Sequence, residues 1–353
     1  MRRVNTAKWV ESAQRWQINV QKDGVRKTFT SAKTGRTGQR EANAKADAWL
    51  EQGLVSRKVK VSEAWAEYFA RAQKTTGKSN WRPIDGRWRT WIEPRIGNRR
   101  LESLTEQQVQ SIIDDAFAAG RSKKTLQNLA GTLTAFFRFC RRSGWCTMEP
   151  VIEIPDGART KEKTILQPKD FTKLMNSDTT IYFGKLVRDV YVHYYRLAVL
   201  TGLRPGELLG LRREDVQGSI IKVRRAVNAY GEETRGKNDN AVRSVPLSAL
   251  AAREVEAQLQ EADGSDWLFG QVQERYLLKR WHAFCKANGI TRCTLYELRH
   301  TFVSIAQNLP EGQLRRLVGH SRSMDTYGVY AHEFGDQEAG DVKRLDSLFS
   351  GIG

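Results

Sequence analysis

The sequence is short of the residues that most often announce a metal site or a disulfide framework. Its 353 residues include only 4 cysteines and 5 histidines. Cys140, Cys146, Cys285 and Cys293 stand at spacings that fit neither a zinc pattern nor a dense disulfide lattice. Four reduced, mostly packed thiols are therefore expected. No cluster of carboxylates accompanies the histidines as divalent-metal ligands would. No run approaches the roughly 20 apolar residues that span a bilayer. Met1-Arg2-Arg3-Val4-Asn5 is basic but no apolar core follows it, so no secretory signal is expected. These absences point to a soluble, cytoplasmic chain without metal, other cofactor or membrane partner. Acidic residues are also scarce, 40 against 58 basic, for a net charge of +18. That excess suits a polyanionic partner, because Lys and Arg displace counterions from phosphates.

The charge is unevenly spread. Residues 1–60 carry 14 basic and 5 acidic side chains, residues 61–150 carry 15 and 9, and residues 151–353 carry 29 and 26. The front of the chain is therefore the part suited to gripping nucleic acid. At this length the chain has room for two or three domains, each with its own core.

Trp16 to Val20 and Val25 to Phe29 alternate in polarity around an Asp23-Gly24 turn signal, which predicts a basic β-hairpin. An Ala-rich helix from Glu41 to Leu50 follows, with Trp49 and Leu50 placed to cover the sheet. From 60 to 150 the apolar residues recur at helical spacing. The sets are Val61, Ala64, Trp65, Tyr68 and Phe69; Val109, Ile112 and Ile113 behind a Thr105 cap; and Leu126, Leu129, Leu133, Phe136, Phe137 and Cys140. Lys74, Lys78, Arg82, Arg87 and Arg89, interleaved with Trp81, Trp88 and Trp91, lie between these stripes, and Arg121, Lys123 and Lys124 open the last helix. Residues 149–168 hold Pro150, Pro155, Gly157 and Pro168 among exposed charge, the composition of a linker. Beyond it, residues 171–211 read as largely helical, 220–246 as a hairpin or small sheet, and the remainder as helical. The fold class expected is multidomain α+β, with a small N-terminal sheet-plus-helix domain and a mostly α C-terminal domain carrying a small sheet.

The chemistry is concentrated late in the chain. Thr201-Gly202-Leu203-Arg204-Pro205-Gly206-Glu207-Leu208 puts an arginine in a bend between two apolar helices. Tyr296-Glu297-Leu298-Arg299-His300-Thr301-Phe302 supplies a second arginine, Gly319-His320-Ser321 a histidine, and Val329-Tyr330-Ala331-His332 a tyrosine. Two guanidiniums, two histidines and a phenol suit metal-free transfer of a phosphodiester onto a tyrosine hydroxyl. The guanidiniums would clamp the non-bridging oxygens, a histidine would add a hydrogen bond or move a proton, and the phenol would attack. In isolation, Arg204 also reads as an ordinary turn arginine, Glu207 as a helix-face carboxylate, and Tyr327 as a rival to Tyr330.

These motifs, in this order, resemble the tyrosine recombinase (phage-type integrase) family. The resemblance implies catalytic roles for Arg204, Arg299, His320 and Tyr330, with Glu207 and His300 supporting them. It implies a lysine in a β-hairpin before Arg243-Ser244-Val245-Pro246-Leu247, the place of Lys237, with Arg235 and Lys222 as nearby competitors. The family pattern is His-x-x-Arg, and here Tyr296 occupies the histidine position. A phenol donates a hydrogen bond well but has an unperturbed pKa near ~10, a poor match for a neutral-pH base. By resemblance, residues 1–55 form an arm-type DNA-binding domain, 60–150 a helical core-binding domain, 151–165 a linker and 166–353 the catalytic domain. The implied activity is cleavage and rejoining of DNA through a 3′-phosphotyrosyl intermediate, for integration or excision of a phage or mobile element. The implied partners are double-stranded attachment-site DNA and three further copies of the chain in a homo-tetramer, with an excisionase or host DNA-bending protein as candidate accessories. A catalytically inactive DNA-binding regulator and a type IB topoisomerase-like enzyme share the scaffold. Val342, Leu345, Leu348 and Phe349 predict an amphipathic C-terminal helix that docks either on its own domain or on a neighbouring protomer.

Overall fold

The computed structural model describes residues 3–22, 25–51, 59–160, 162–234, 242–261, 264–319 and 337–350. The chain divides into two compact units, Met1–Lys161 and Glu162–Gly353.

The first unit holds two separate cores. Strands β1 (Lys8–Val10), β2 (Arg15–Lys22) and β3 (Val25–Ser31) form an antiparallel sheet in that order. Lys22 pairs with Val25; the turn residues 23–24 lie outside the described residues. Strand alternation turns Ile18 and Val20 inward, where they meet Ala42, Ala46, Trp49 and Leu50 of α1 (Gly35–Glu51).

The second core is helical. It is built from α2 (Val61–Thr75), α3 (Lys78–Arg87), a π-helical turn (Trp88–Ile92), α4 (Glu93–Ile96), α5 (Glu106–Ala118) and α6 (Lys123–Arg142). Helix α5 starts where Thr105 caps it, its Oγ1 accepting from Gln108 N–H at 3.3 Å. The stripe Leu126, Leu129, Leu133, Phe136, Phe137 and Cys140 on α6 is buried throughout, as its 3–4 spacing predicts. Trp88 belongs to this core and stacks on Trp65 with ring centroids 4.4 Å apart, so it is not free for a DNA surface. Ile152 and Ile154 pack against the same core and Ala158 is buried in it.

In the second unit, α7 (Pro168–Asn176) leads into a hairpin, β4 (Thr179–Tyr182) and β5 (Lys185–Arg188). Sequence reading placed helix here. The structure corrects it, because Phe183 and Gly184 both adopt positive φ (48° and 76°) between paired Tyr182 and Lys185. That is the geometry of a tight two-residue hairpin loop, and Phe is an unusual residue for it. Helix α8 (Val192–Thr201) follows and is buried at every residue, which makes it the centre of the unit. Then come α9 (Pro205–Leu209), β6 (Val216–Gln217), β7 (Ile220–Val223), β8 (Ala226–Val227), β9 (Glu233–Thr234) and β10 (Arg243–Pro246). Strands β10, β7 and β6 form one antiparallel sheet, with Val245 opposite Ile221, and β8 pairs with β9.

Helices α10 (Ala249–Glu261), α11 (Glu274–Asn288), α12 (Leu295–Ile305), α13 (Glu311–Val318) and α14 (Gln337–Ser350) complete the unit. Helix α14 docks on its own unit. Phe349 stacks on Phe171 with centroids 6.0 Å apart, Leu345 is 2% exposed, and Asp341 pairs with Arg316 at 2.6 Å. All four cysteines are free; Cys140, Cys285 and Cys293 are buried. No helix among the described residues is long and apolar enough to cross a membrane.

Candidate active site

The site forms where α8 ends. Gly202 caps that helix in the left-handed conformation (φ 64°), which turns its carbonyl outward; a Cβ there would lie 2.3 Å from the Phe302 ring. The chain then bends into α9, with Arg204 at the cap position and Pro205 pre-set for the first helical turn. Arg204 and Glu207 close a reciprocal cap. The Glu207 carboxylate accepts Arg204 N–H at 2.9 Å and Arg204 Nη1 at 2.7 Å.

Arg299 arrives from α12. Thr294 caps that helix, donating its N–H to Glu297 Oε2 at 2.7 Å and accepting Glu297 N–H on Oγ1 at 3.3 Å. Glu297 Oε1 also accepts Thr164 N–H at 3.0 Å, and Thr301 Oγ1 accepts Leu166 N–H at 3.0 Å. The chain entering the second unit is thereby fastened to both sides of Arg299. The arginine itself is 2% exposed and spends two donors on backbone carbonyls, Gly202 O at 2.8 Å and Val318 O at 2.6 Å.

The two arginines converge on adjacent backbone carbonyls at the end of α13. Arg204 Nη2 donates to Gly319 O at 3.1 Å, and Gly319 is the left-handed cap (φ 66°) of α13. Arg204 contacts Gly319 and Arg299 contacts Val318, so both hold the backbone that leads directly into His320. Each guanidinium has five N–H donors, and each gives two to these oxygens, leaving donors for an anion. Burial and the nearby Arg204 charge pull the Arg299 guanidinium down to about 10. Such mutual repulsion is relieved when a phosphate oxygen enters between the cations.

Glu207 is the counter-charge. Its side chain is 3% exposed, and burial alone would raise its carboxyl. Hydrogen bonds and charge from Arg243, then from Arg204, outweigh burial and hold it below the ordinary carboxylate range. Arg243 is the residue that sequence reading missed. It stands at the start of β10, donates Nη2 to Glu207 Oε2 at 2.9 Å and Nη1 to Glu207 Oε1 at 3.1 Å, and reaches Leu317 O through Nε at 3.0 Å. No local signal marks it, since one arginine beginning a strand looks like any edge residue.

Tyr296 lies in the first turn of α12, 45% exposed, and meets His300 edge to face with ring centroids 5.2 Å apart. Burial, Lys163 and Arg299 all lower the His300 pKa, so its imidazole is neutral near pH 7. Lys237, His320 and Tyr330, together with the rivals Arg235 and Tyr327, lie outside the described residues. Lys222 sits on β7 opposite Ser244. The structure therefore brings together Arg204, Glu207 and Arg299, adds Arg243, and places Tyr296 and His300 on the helix that carries Arg299. Among the described residues no group of three or more His, Cys, Asp or Glu side chains converges as metal ligands would.

The chain is similar to several known proteins. The phage integrase family profile matches residues 165–336. A tyrosine recombinase XerC-like protein of Caldanaerobacter subterraneus subsp. tengcongensis is 23% identical over 306 residues, 75% of this chain and 77% of that protein. Among solved structures, the Tn1549 transposon integrase in complex with transposon right end DNA superposes with a TM-score of 0.63 at 19% identity, covering 81% of this chain and 99% of its own. The lambda integrase tetramer bound to a Holliday junction superposes at 0.57 and 14% identity over 94% of this chain and 98% of its own.

Proposed function

Because the chain belongs to the tyrosine recombinase family and is a site-specific DNA recombinase, we propose that it cuts and rejoins attachment-site DNA through a 3′-phosphotyrosyl intermediate, in the integration or excision of a mobile element. The observation that carries this reading is the convergence of Arg204 and Arg299 on the backbone that leads into His320. Two guanidiniums with spare donors can bind the two non-bridging oxygens of a scissile phosphate and stabilise the charge that builds there during attack.

In this scheme the Tyr330 hydroxyl oxygen bonds to phosphorus and passes its proton to water. The bond to the 5′ oxygen breaks, and Lys237 donates the proton that the departing oxygen takes. His320 hydrogen-bonds the same phosphate, and Tyr296 supplies the donor that a histidine gives in the usual motif. A 5′ hydroxyl from a partner duplex then attacks the phosphotyrosine, restoring the phenol and a continuous strand. Exchanging strands between duplexes this way passes through a Holliday junction and needs four active sites, hence a homo-tetramer on double-stranded attachment-site DNA. An excisionase or host DNA-bending protein would set direction. We assign residues 1–55 to arm-site DNA, 60–150 to core DNA, 151–165 to the connection and 166–353 to the chemistry.

The test is a nicked core duplex that traps the covalent intermediate. The wild-type chain forms an adduct that persists in excess EDTA, because Arg, Lys and His supply the electrostatics. Tyr330→Phe binds the duplex but forms none. An adduct that survives Tyr330→Phe and disappears in Tyr327→Phe would reassign the nucleophile. Loss on chelation with recovery in magnesium would reject the mechanism.

A further inference from the structure

Arg243 opens β10, and it joins α9 to the end of α13. Its fork meets both Glu207 oxygens at 3.1 and 2.9 Å, on α9 beside Arg204. Its Nε meets Leu317 O at the end of α13. Gly319 lies flush against it, since a Cβ there would sit 2.8 Å from Arg243 Nη1. The Arg243 side chain is 7% exposed and that of Glu207 3%, so the pair is shielded from solvent screening.

We propose that Arg243 is a positioning residue for the phosphate clamp: by neutralising Glu207 it leaves the charge and spare donors of Arg204 to the scissile phosphate. The inference rests on the recombinase reading above. Arg204, Arg243 and Arg299 against Glu207 leave a net charge of two positive units. The bound phosphodiester carries one negative charge, and the five-coordinate transition state carries a second. Removing Arg243 leaves one net positive unit. Glu207 then either binds Arg204 alone, drawing its donors away from DNA, or takes a proton and releases it. The first outcome harms the transition state more than ground-state binding, whereas the second restores two net positive units. Arg243 also fixes two departure points, because β10 emerges from the segment bearing Lys237 and Gly319 immediately precedes His320. A bidentate guanidinium holds such a junction in one orientation, which a lysine cannot reproduce.

The experiment uses the full chain and the nicked core duplex, comparing wild type with Arg243→Met, Arg243→Lys, Glu207→Gln and the double variant Arg243→Met/Glu207→Gln. Single-turnover cleavage, duplex affinity and the pH–rate profile are measured, with thermal melts to confirm folding. Arg243→Met should cleave about 10–100-fold more slowly, the scale of weakened support to a reacting site, with affinity changed by less than about threefold. Its defect should shrink as the pH falls, because a buried carboxylate facing one arginine instead of two binds a proton more readily and, once neutral, no longer competes for Arg204. Adding Glu207→Gln removes the charge that needed neutralising, so the double variant should cleave no more slowly than Arg243→Met and lose that pH dependence. Arg243→Lys should recover part of the rate, and its pH profile carries the test if Arg243→Met does not fold. Wild-type rate and pH profile in Arg243→Met would overturn the proposal. So would equal losses in binding and cleavage, or a double variant whose defect is the product of the two single defects. If the wild-type chain forms no adduct at all, the recombinase reading fails first and the proposal falls with it.

Discussion

At Tyr296 a phenol occupies the position where the family pattern has a histidine. It precedes Arg299 by one helical turn of α12, and its 45% exposure leaves the hydroxyl reachable by a DNA phosphate. The ring is braced on one side by the edge-to-face contact with His300. A phenol can donate one hydrogen bond to a phosphate oxygen while remaining protonated at neutral pH. Tyr296→Phe should therefore slow cleavage of the core duplex by about tenfold, the scale of one missing neutral hydrogen bond, while Tyr296→His should retain activity. A Phe variant that cleaves at the wild-type rate would show that the hydroxyl does not reach the phosphate. The motif and its departure were both legible in the sequence. The bracing of the ring was not, because it depends on the edge-to-face packing that the folded helix gives Tyr296 and His300.

Among the elements, the β4–β5 hairpin carries a visible local conflict. Phe183 is 87% exposed and has φ 48°, a backbone region that Asn and Gly occupy at much lower cost. What offsets the strain is the T-shaped contact with Tyr182, with centroids 4.5 Å apart. Phe183→Asn should raise stability by about 0.5–1 kcal/mol, seen as a higher urea midpoint with an unchanged slope. A lower midpoint would mean that the Tyr182 contact outweighs the backbone relief. Sequence reading failed here because Thr179 to Arg188 lies between two genuine helices and its turn lacks the Asn-Gly or Asp-Gly signature. Helices with strong caps behaved differently. Thr105 was read correctly as a cap, since its hydrogen bond is satisfied within one turn of the chain. The C-terminal helix was also foreseen, but only packing determined that α14 rests on α7 of its own chain through Phe171 and Phe349.

Over the whole molecule, charge and chemistry are separated along the chain. Residues 1–60 carry 14 basic and 5 acidic side chains, whereas the cluster of Arg204, Arg243, Arg299 and Glu207 lies wholly in the second unit. The N-terminal sheet and α1 have their own small core and share none of its residues with the helical core that follows. Deleting residues 1–55 should weaken binding to long attachment-site DNA and flatten its salt dependence, by roughly 0.9 in log–log slope for each phosphate no longer neutralised. Cleavage of the short core duplex should persist. A folded truncation that binds the core but forms no adduct would make the front domain part of the cleavage apparatus.

What the sequence by itself determined is whatever repeats or caps over a few residues: the buried stripes of α2, α5 and α6 and the hairpin of β2 and β3. Periodicity expresses local geometry, so it survives without a fold. The site itself was decided by tertiary structure. Arg299 finds Gly202 across 97 positions, and Arg243 finds Glu207 across 36. Those partners are chosen by the need to bury a carboxylate among guanidiniums and to satisfy carbonyls at two left-handed glycine caps, a long-range electrostatic balance that no local pattern encodes.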